Sequence, residues 1–189
     1  MVRTIKKQTR QQRLHVLLLD NPFLTDDELA EKLEVSIQTI RLDRLELGIP
    51  ELRERVKQLA EGANTKLKSI SGGEVVGELV DLELGQSAIS MLEISTEMVL
   101  EKARAARGHH LFAQANSLAV AVIDAEVALT ATAKVKFKRQ VGLGEKVVAK
   151  AQVTGSKGNR FFVSVCSMVN GEEVLAGEFV IFAKGSEED

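Results

Sequence analysis

The chain has 189 residues, 25 Lys and Arg against 27 Asp and Glu, a formal net charge of −2 and 44% hydrophobic residues. That composition is ordinary for one or two small globular domains, and the charge balance excludes a polyanion binder working by bulk charge. A single cysteine, Cys166, excludes an internal disulfide, leaves no Cys/His metal pattern, and reads as a small core residue of a strand. No secretory signal is read, and the apolar run Ser117 to Asp124 is too short to cross a bilayer, so a cytoplasmic protein with no membrane partner is expected. Trp and Tyr are absent, so any nucleic-acid contact must do without their stacking.

Charge is uneven along the chain. Arg3, Lys6, Lys7, Arg10 and Arg13 precede any acidic residue, whereas Glu187-Glu188-Asp189 close it. Leu14, Val16, Leu17 and Leu18 predict a first helix that stops near Asn21-Pro22. Thr25 with Glu28 is a capping-box pair opening a second helix, Asp26 to about Leu33, with Leu29, Ala30 and Leu33 inside. After a turn at Glu34-Val35, Ser36 caps a third helix. Ile37, Ile40, Leu45 and Leu47 form its expected apolar face, and Gly48 and Pro50 end it. Gln38, Thr39, Arg41 and Arg44 are left to point elsewhere, where they can reach base edges and phosphates.

Ala30 permits a close helix crossing, and Ile40, ten residues on, fills it, as a helix-turn-helix requires. The segment resembles the DeoR-type helix-turn-helix, whose recognition segment often reads Val-Ser-x-x-Thr-Ile-Arg-x-Asp. Val35, Ser36, Thr39, Ile40, Arg41 and Asp43 match it. Glu34 departs from the glycine common at that turn. Ser36, Gln38, Thr39, Arg41 and Arg44 are the candidate DNA contacts, with Lys6, Lys7 and Arg10 as a basic arm over the phosphates.

Residues 1–49 are read as this DNA-binding domain, 50–70 as an amphipathic linker helix and 71–189 as a second domain. Pro50 suits the linker's first helical position. Leu52, Val56, Leu59, Ala63 and Leu67 make an apolar stripe, opposed by Arg53, Arg55, Lys57, Gln58 and Glu61.

Ser71-Gly72-Gly73 opens the third region. A strand is expected over Glu74 to Leu84, with Val76, Val80, Leu82 and Leu84 inward; Glu78 and Leu79 break its alternation. A turn at Gly85-Gln86-Ser87 leads to a strand from Ala88 to Ile94 and a helix from about His110 to Ile123, burying Phe112, Ala115, Ala119 and Val122. Strands follow at 127–138, 145–155, 160–169 and 174–183, the last pair joined by the hairpin signal Asn170-Gly171. Two strands, one Ala-rich helix and four strands resemble the hotdog fold, an antiparallel six-stranded sheet wrapped around a central helix. The expected class is therefore α+β, an all-α head followed by a hotdog domain that pairs into a symmetric dimer.

The approach to that helix, Ala106-Arg107-Gly108-His109-His110-Leu111-Phe112-Ala113-Gln114-Ala115-Asn116-Ser117, carries the candidate chemistry. Hydrolysis of a thioester wants a carboxylate here, and no acidic residue lies between Glu101 and Asp124. Of His109 and His110 the simplest reading is one packed and one solvated. Arg107 beside Gly108, at a helix start, suits a small carboxylate; the alternative is a surface salt bridge with Glu97 or Glu101.

Taken together, Val35 to Leu47, Ile49-Pro50-Glu51-Leu52-Arg53-Glu54-Arg55 and Ala106 to Asp124 resemble the FapR family, repressors of fatty acid and phospholipid biosynthesis genes. The resemblance runs from about residue 10 to 182. It implies a homodimer on an inverted-repeat DNA operator, released when malonyl-CoA, or malonyl on acyl carrier protein, binds the hotdog domain. It implies no enzyme activity, metal or cofactor. Arg107 would pair with the malonyl carboxylate and Gly108 would give it room. Asn116 would bond the acyl group, Leu129 line the pocket and Leu100 help cover it. A thioesterase carrying a DNA-binding head and a purely dimerising hotdog domain are the competing readings.

Overall fold

The computed structural model describes residues 7–184, the side chains of Leu59 and Glu61 excepted. The chain divides into two compact units, Met1–Gln58 and Leu59–Asp189. The division falls inside the helix of the 50–70 segment.

The first unit contains α1 (Lys7–Asp20), α2 (Asp26–Leu33) and α3 (Ile37–Glu46), and the start of α4 (Leu52–Asn64). Its core is Leu14, Leu18, Leu24, Leu29, Ala30, Leu33 and Ile40. Both bonds of the Thr25 capping box form: Glu28 N donates to Thr25 Oγ1 at 3.2 Å and Thr25 N to Glu28 Oε2 at 2.7 Å. Glu34 adopts the left-handed conformation that the turn demands (φ 54, ψ 45), and its N–H closes α2 on Ala30 O and Glu31 O.

Several expected faces are rearranged. Val16 is 62% exposed, so α1 packs through Leu14 and Leu18. On α3 only Ile40 of the expected apolar face is buried, while Ile37, Leu45 and Leu47 are exposed. The buried side of α3 is completed by two charged residues, Asp43 and Arg44. They are tolerated there because each meets an opposite charge, without which burial would be costly. Asp43 takes Arg10 Nε at 2.5 Å and Nη2 at 3.1 Å. Arg44 grips Asp26 with Nε at 2.7 Å and Nη2 at 2.8 Å.

α4 starts at Leu52 rather than Pro50, and Arg55 in its first turn points inward. Its guanidinium donates to the carbonyls of Pro22 (3.1 Å), Pro50 (2.6 Å) and Leu24 (2.7 Å). It therefore fastens the first turns of α4 instead of lying on their polar face. Val56 is fully buried, as the stripe required, and the Leu59 side chain lies outside the described residues.

The second unit is one six-stranded antiparallel sheet around α5 (Gly108–Ala121). Its strands are β1 (Glu78–Glu83), β2 (Ser87–Glu93), β5 (Val127–Phe137), β6 (Lys146–Lys157), β7 (Arg160–Val169) and β8 (Glu172–Lys184). A two-stranded hairpin of β3 (Val99–Leu100) and β4 (Ala105–Ala106) precedes the helix. The sheet order is β1-β2-β6-β7-β8-β5, so β1 and β5 are its edges. This is the hotdog architecture.

The first strand is shorter than expected, since residues 72–74 form a 3-10 turn. A bulge between Leu79 and Asp81 lets Leu79, Val80 and Leu82 all lie buried, which explains the broken alternation there. The helix begins two residues earlier than expected, with Arg107 as its N-cap. Its buried face runs through Leu111, Gln114, Ala115, Leu118 and Ala119; Phe112 is 37% exposed instead. Gln114 is held in this core by donating to Ser90 O, Ser90 Oγ and Val147 O at 3.2–3.3 Å. Ala63, Leu67 and Ile70 pack against the same core.

Candidate functional sites

In the first unit the site is the outward side of α3. Ser36 spends its hydroxyl on capping, accepting from Thr39 N at 3.2 Å, and pairs with the Thr39 hydroxyl at 2.9 Å. Gln38 is exposed. Arg41 keeps 66% of its side-chain surface exposed, with Asp26 at 3.5 Å as its nearest acid. Lys7 reaches Glu46 at 2.7 Å from an exposed position. Arg44 and Arg10 correct the sequence reading. Both are consumed in buried ion pairs, so neither offers a free guanidinium to DNA; the strong bond to Asp43 holds the Arg10 pKa even above its ordinary value. Lys6 lies outside the described residues.

In the second unit the candidates collect around the start of α5 and the seam between α5 and the edge strand β5. The backbone before the helix is fixed from two sides. Arg107 N donates to Met98 O at 2.8 Å, and Ala106 N donates to Val141 O at 2.7 Å. The loop carrying Val141 is locked by Glu145, which accepts from Gly142 N at 2.5 Å and from Arg139 Nη2 at 3.1 Å. Those bonds, Arg139 first, hold the Glu145 carboxyl below its usual range.

The half-buried Arg107 guanidinium donates through Nη2 to the backbone carbonyl of Glu97, and its buried Nε has no partner among the described residues. The expected alternative, a salt bridge to Glu97 or Glu101, does not form: the Glu97 carboxylate is taken by the Ser95 hydroxyl at 2.5 Å. Beside it stands the half-buried imidazole of His110, with His109 exposed and the two rings 4.1 Å apart. Burial, then the neighbouring His109 and Arg107, push the His110 pKa below its ordinary value, so it is neutral around pH 7.

Gly108 faces the end of β5. A Cβ added there would lie 3.3 Å from the Phe137 ring. Further along the seam, Asn116 Oδ1 accepts from Thr130 Oγ1 at 2.7 Å. Gly108 and Asn116 thus mark the two ends of one α5–β5 seam. Leu100 is half-exposed on the β3–β4 hairpin. Leu129 departs from expectation. Thr130 points to α5 and Ala128 is buried, so alternation turns Leu129 away from the helix, where it is 65% exposed. Two grooves over the sheet, one of about 670 Å³ bordered by Thr132, Thr154, Phe162 and Val180 and another among Lys134, Lys136 and Lys138, include none of Arg107, Gly108 and Asn116. Among the described residues no cluster of three or more His, Cys, Asp or Glu could hold a metal ion, and no helix is long and apolar enough to cross a membrane.

The chain is 56% identical over 179 residues to a transcription factor FapR of Bacillus subtilis, spanning 93% of this chain and 95% of that protein. The chain belongs to the FapR family of transcription factors. The FapR of a Geobacillus species is 54% identical over 96% of this chain and 92% of its own length, and that of Caldanaerobacter subterraneus 49% over 95% and 90%. No family model matches. Among solved structures, an uncharacterized protein of Pyrococcus horikoshii aligns with a TM-score of 0.56 at 27% identity, over 58% of this chain and 84% of its own. A protein of Thermus thermophilus aligns at 0.54 with 22% identity, over 58% and 93%. The FapR-family relatives cover both units.

Three neighbours of the FapR candidate residues escape a reading of the sequence: Thr130, Phe137 and Leu42 of α3. Thr130 and Phe137 gain their roles only when β5 folds back along α5, so no local pattern marks them. Leu42 lies outside the apolar face expected for α3, which centres on Ile37 and Ile40.

Proposed function

We propose that the protein is a dimeric repressor whose α3 reads an inverted-repeat operator and whose second unit binds a malonyl thioester, malonyl-CoA or its carrier-protein equivalent, which releases the DNA. The observation that carries the effector half of this reading is Arg107. Among the described residues its half-buried guanidinium meets no acidic side chain, and it has one carbonyl partner and one unpartnered Nε. A cation in that state is ready for a carboxylate, which can take two parallel N–H bonds. The positive end of the α5 dipole adds to the same pull, and neutral His110 spares the site a second fixed charge.

The dimer is supported by β5. It is an edge strand of 11 residues with Val127, Leu129 and Phe137 exposed. An uncovered edge of that length and apolarity invites pairing, and a two-fold axis lets the same strand of a second copy supply it. The spacing of the site residues supports it as well. Arg107 and Asn116 are about 13 Å apart along the axis of α5 and about half a turn out of phase. A small acyl group touching both types of side chain is best served by two copies, one offering each.

Ligand and DNA then compete through the arrangement of the units, with a coupling of about 1–3 kcal/mol, roughly 5–150-fold in affinity. The test is a titration of malonyl-CoA against the protein bound to a duplex that it has selected from random DNA. Release by malonyl-CoA and not by acetyl-CoA is expected. Arg107→Ala should bind the duplex normally and resist release. Normal release of Arg107→Ala would remove the anion site, and no effect of malonyl-CoA on the wild type would remove the effector.

A further inference from the structure

The outward side of α3 is more apolar than solvent contact explains. At about 100° per residue, Gln38, Leu42 and Leu45 fall within about 60° of one another, opposite the buried Ile40, Asp43 and Arg44. Leu42 is 62% exposed and Leu45 78%. Scattered exposed leucines are common on protein surfaces. These two share a ten-residue helix with the polar groups best placed to meet DNA, and they sit at the centre of its free face.

Charge sharpens the point. With Arg44 withdrawn into its pair with Asp26, Arg41 is the basic side chain that α3 presents outward, and Gln38 is the amide beside it. Readout by hydrogen bonds is therefore short of donors. A leucine in the major groove finds one apolar group on base edges, the C5 methyl of thymine. We propose that Leu42, flanked by Leu45, packs on thymine methyl groups and selects T·A at base pairs that Gln38 and Arg41 do not read. The proposal rests on the reading of α3 as the element that enters DNA, and it names the side chains that would set the sequence preference.

Deoxyuridine lacks only that methyl, which makes the test chemical. A duplex selected from random DNA by the wild-type protein is resynthesised with deoxyuridine at one thymidine at a time, and affinities are measured at fixed salt. Burial of one methyl is worth about 0.8 kcal/mol, roughly fourfold in affinity. At one or more thymines of each half-site, deoxyuridine should weaken wild-type binding by about that factor. Leu42→Ala should bind the all-thymine duplex correspondingly less well and lose sensitivity at one of those positions. Leu45→Ala should lose it at a neighbouring position or not at all. Leu19→Ala, which trims a 72% exposed leucine of α1, should keep the full wild-type pattern. Indifference of the wild type to every deoxyuridine overturns the proposal, as does sensitivity that survives in both Leu42→Ala and Leu45→Ala. Failure to select any duplex overturns the DNA reading itself and this inference with it, an outcome distinct from either of the others.

Discussion

Replacing Asp43 by asparagine should remove about a third or more of the first unit's stability while leaving the second intact. The Asp43 side chain is 2% exposed and that of Arg10 is 11% exposed. The carboxylate takes two bonds from Arg10, and a third at 3.2 Å from Gln11 Nε2. An amide in its place would keep the volume but could not neutralise the guanidinium. Removing one partner of a buried pair costs about 3–5 kcal/mol. The Arg10 end still meets some water, which favours the lower bound, about 3 kcal/mol. The unit Met1–Gln58, at about 0.05–0.15 kcal/mol per residue, has roughly 3–9 kcal/mol in total. Asp43→Asn should therefore shift the helical unit's urea transition strongly and leave the sheet unit's transition in place. Hydrogen exchange in α1 and α3 against that in β6 and β7 separates the two.

Removing both charges is the decisive companion. A buried pair replaced by apolar side chains is often neutral or stabilising, so Arg10→Met with Asp43→Leu should restore the fold. It should also restore affinity for a selected duplex, because Arg10 is a strut here and not a phosphate contact. If the double variant folds but binds DNA weakly, with a salt slope reduced by about one phosphate contact, Arg10 works on DNA after all. If Asp43→Asn melts within about 1 kcal/mol of the wild type, the pair is not holding α1 to α3 as its geometry requires.

Glu34→Gly should stabilise the first unit by about 0.5–1 kcal/mol, as relief of about 1–2 kcal/mol at the left-handed turn exceeds the extra freedom gained by the unfolded chain; a lower melting temperature would refute it. The second unit should lose stability as pH falls below about 6.5, the ordinary histidine value. The folded His110 pKa is depressed, so the unfolded chain takes up its proton first, and the loss levels off below the folded pKa. Urea midpoints at about pH 7.5 and 5.5 measure this, and His110→Gln should flatten the slope; an unchanged slope in that variant would place the effect elsewhere.

The fold was legible wherever a local rule was strong. Thr25 with Glu28, and Asn170-Gly171 between strands, fixed element ends to within a residue or two. The four strands after α5 emerged to within two residues because turn signals separate them. β1, expected over Glu74 to Leu84, forms only over Glu78–Glu83, because a 3-10 turn takes residues 72–74 and a bulge between Leu79 and Asp81 breaks the period of two that would have set its bounds. The β3–β4 hairpin, two residues a side, is too short to carry a period, and its second strand and the following Arg107 donate to the carbonyls of Val141 and Met98.

The sites were less legible for a reason specific to arginine. Sequence shows that a cation is present but not whether its partner is a nucleic acid, a ligand or the protein itself. Arg10 reads as part of a basic arm, and Arg44 and Arg55 as solvent-facing on their helices; all three are turned inward, to Asp43, to Asp26 and to the loop carbonyls of Pro22, Leu24 and Pro50. Arg107 went the other way: two acids were near it in sequence, and neither claims it. The inward arginines also explain why the apolar face of α3 was misplaced. Once Asp43 and Arg44 take the buried side with Ile40, the leucines one residue before and after them must face out. A helix core sealed by paired charges thus frees apolar side chains for the outward face of α3. If α3 enters DNA as proposed, sequence preference should accordingly respond more to Leu42 than to either buried arginine.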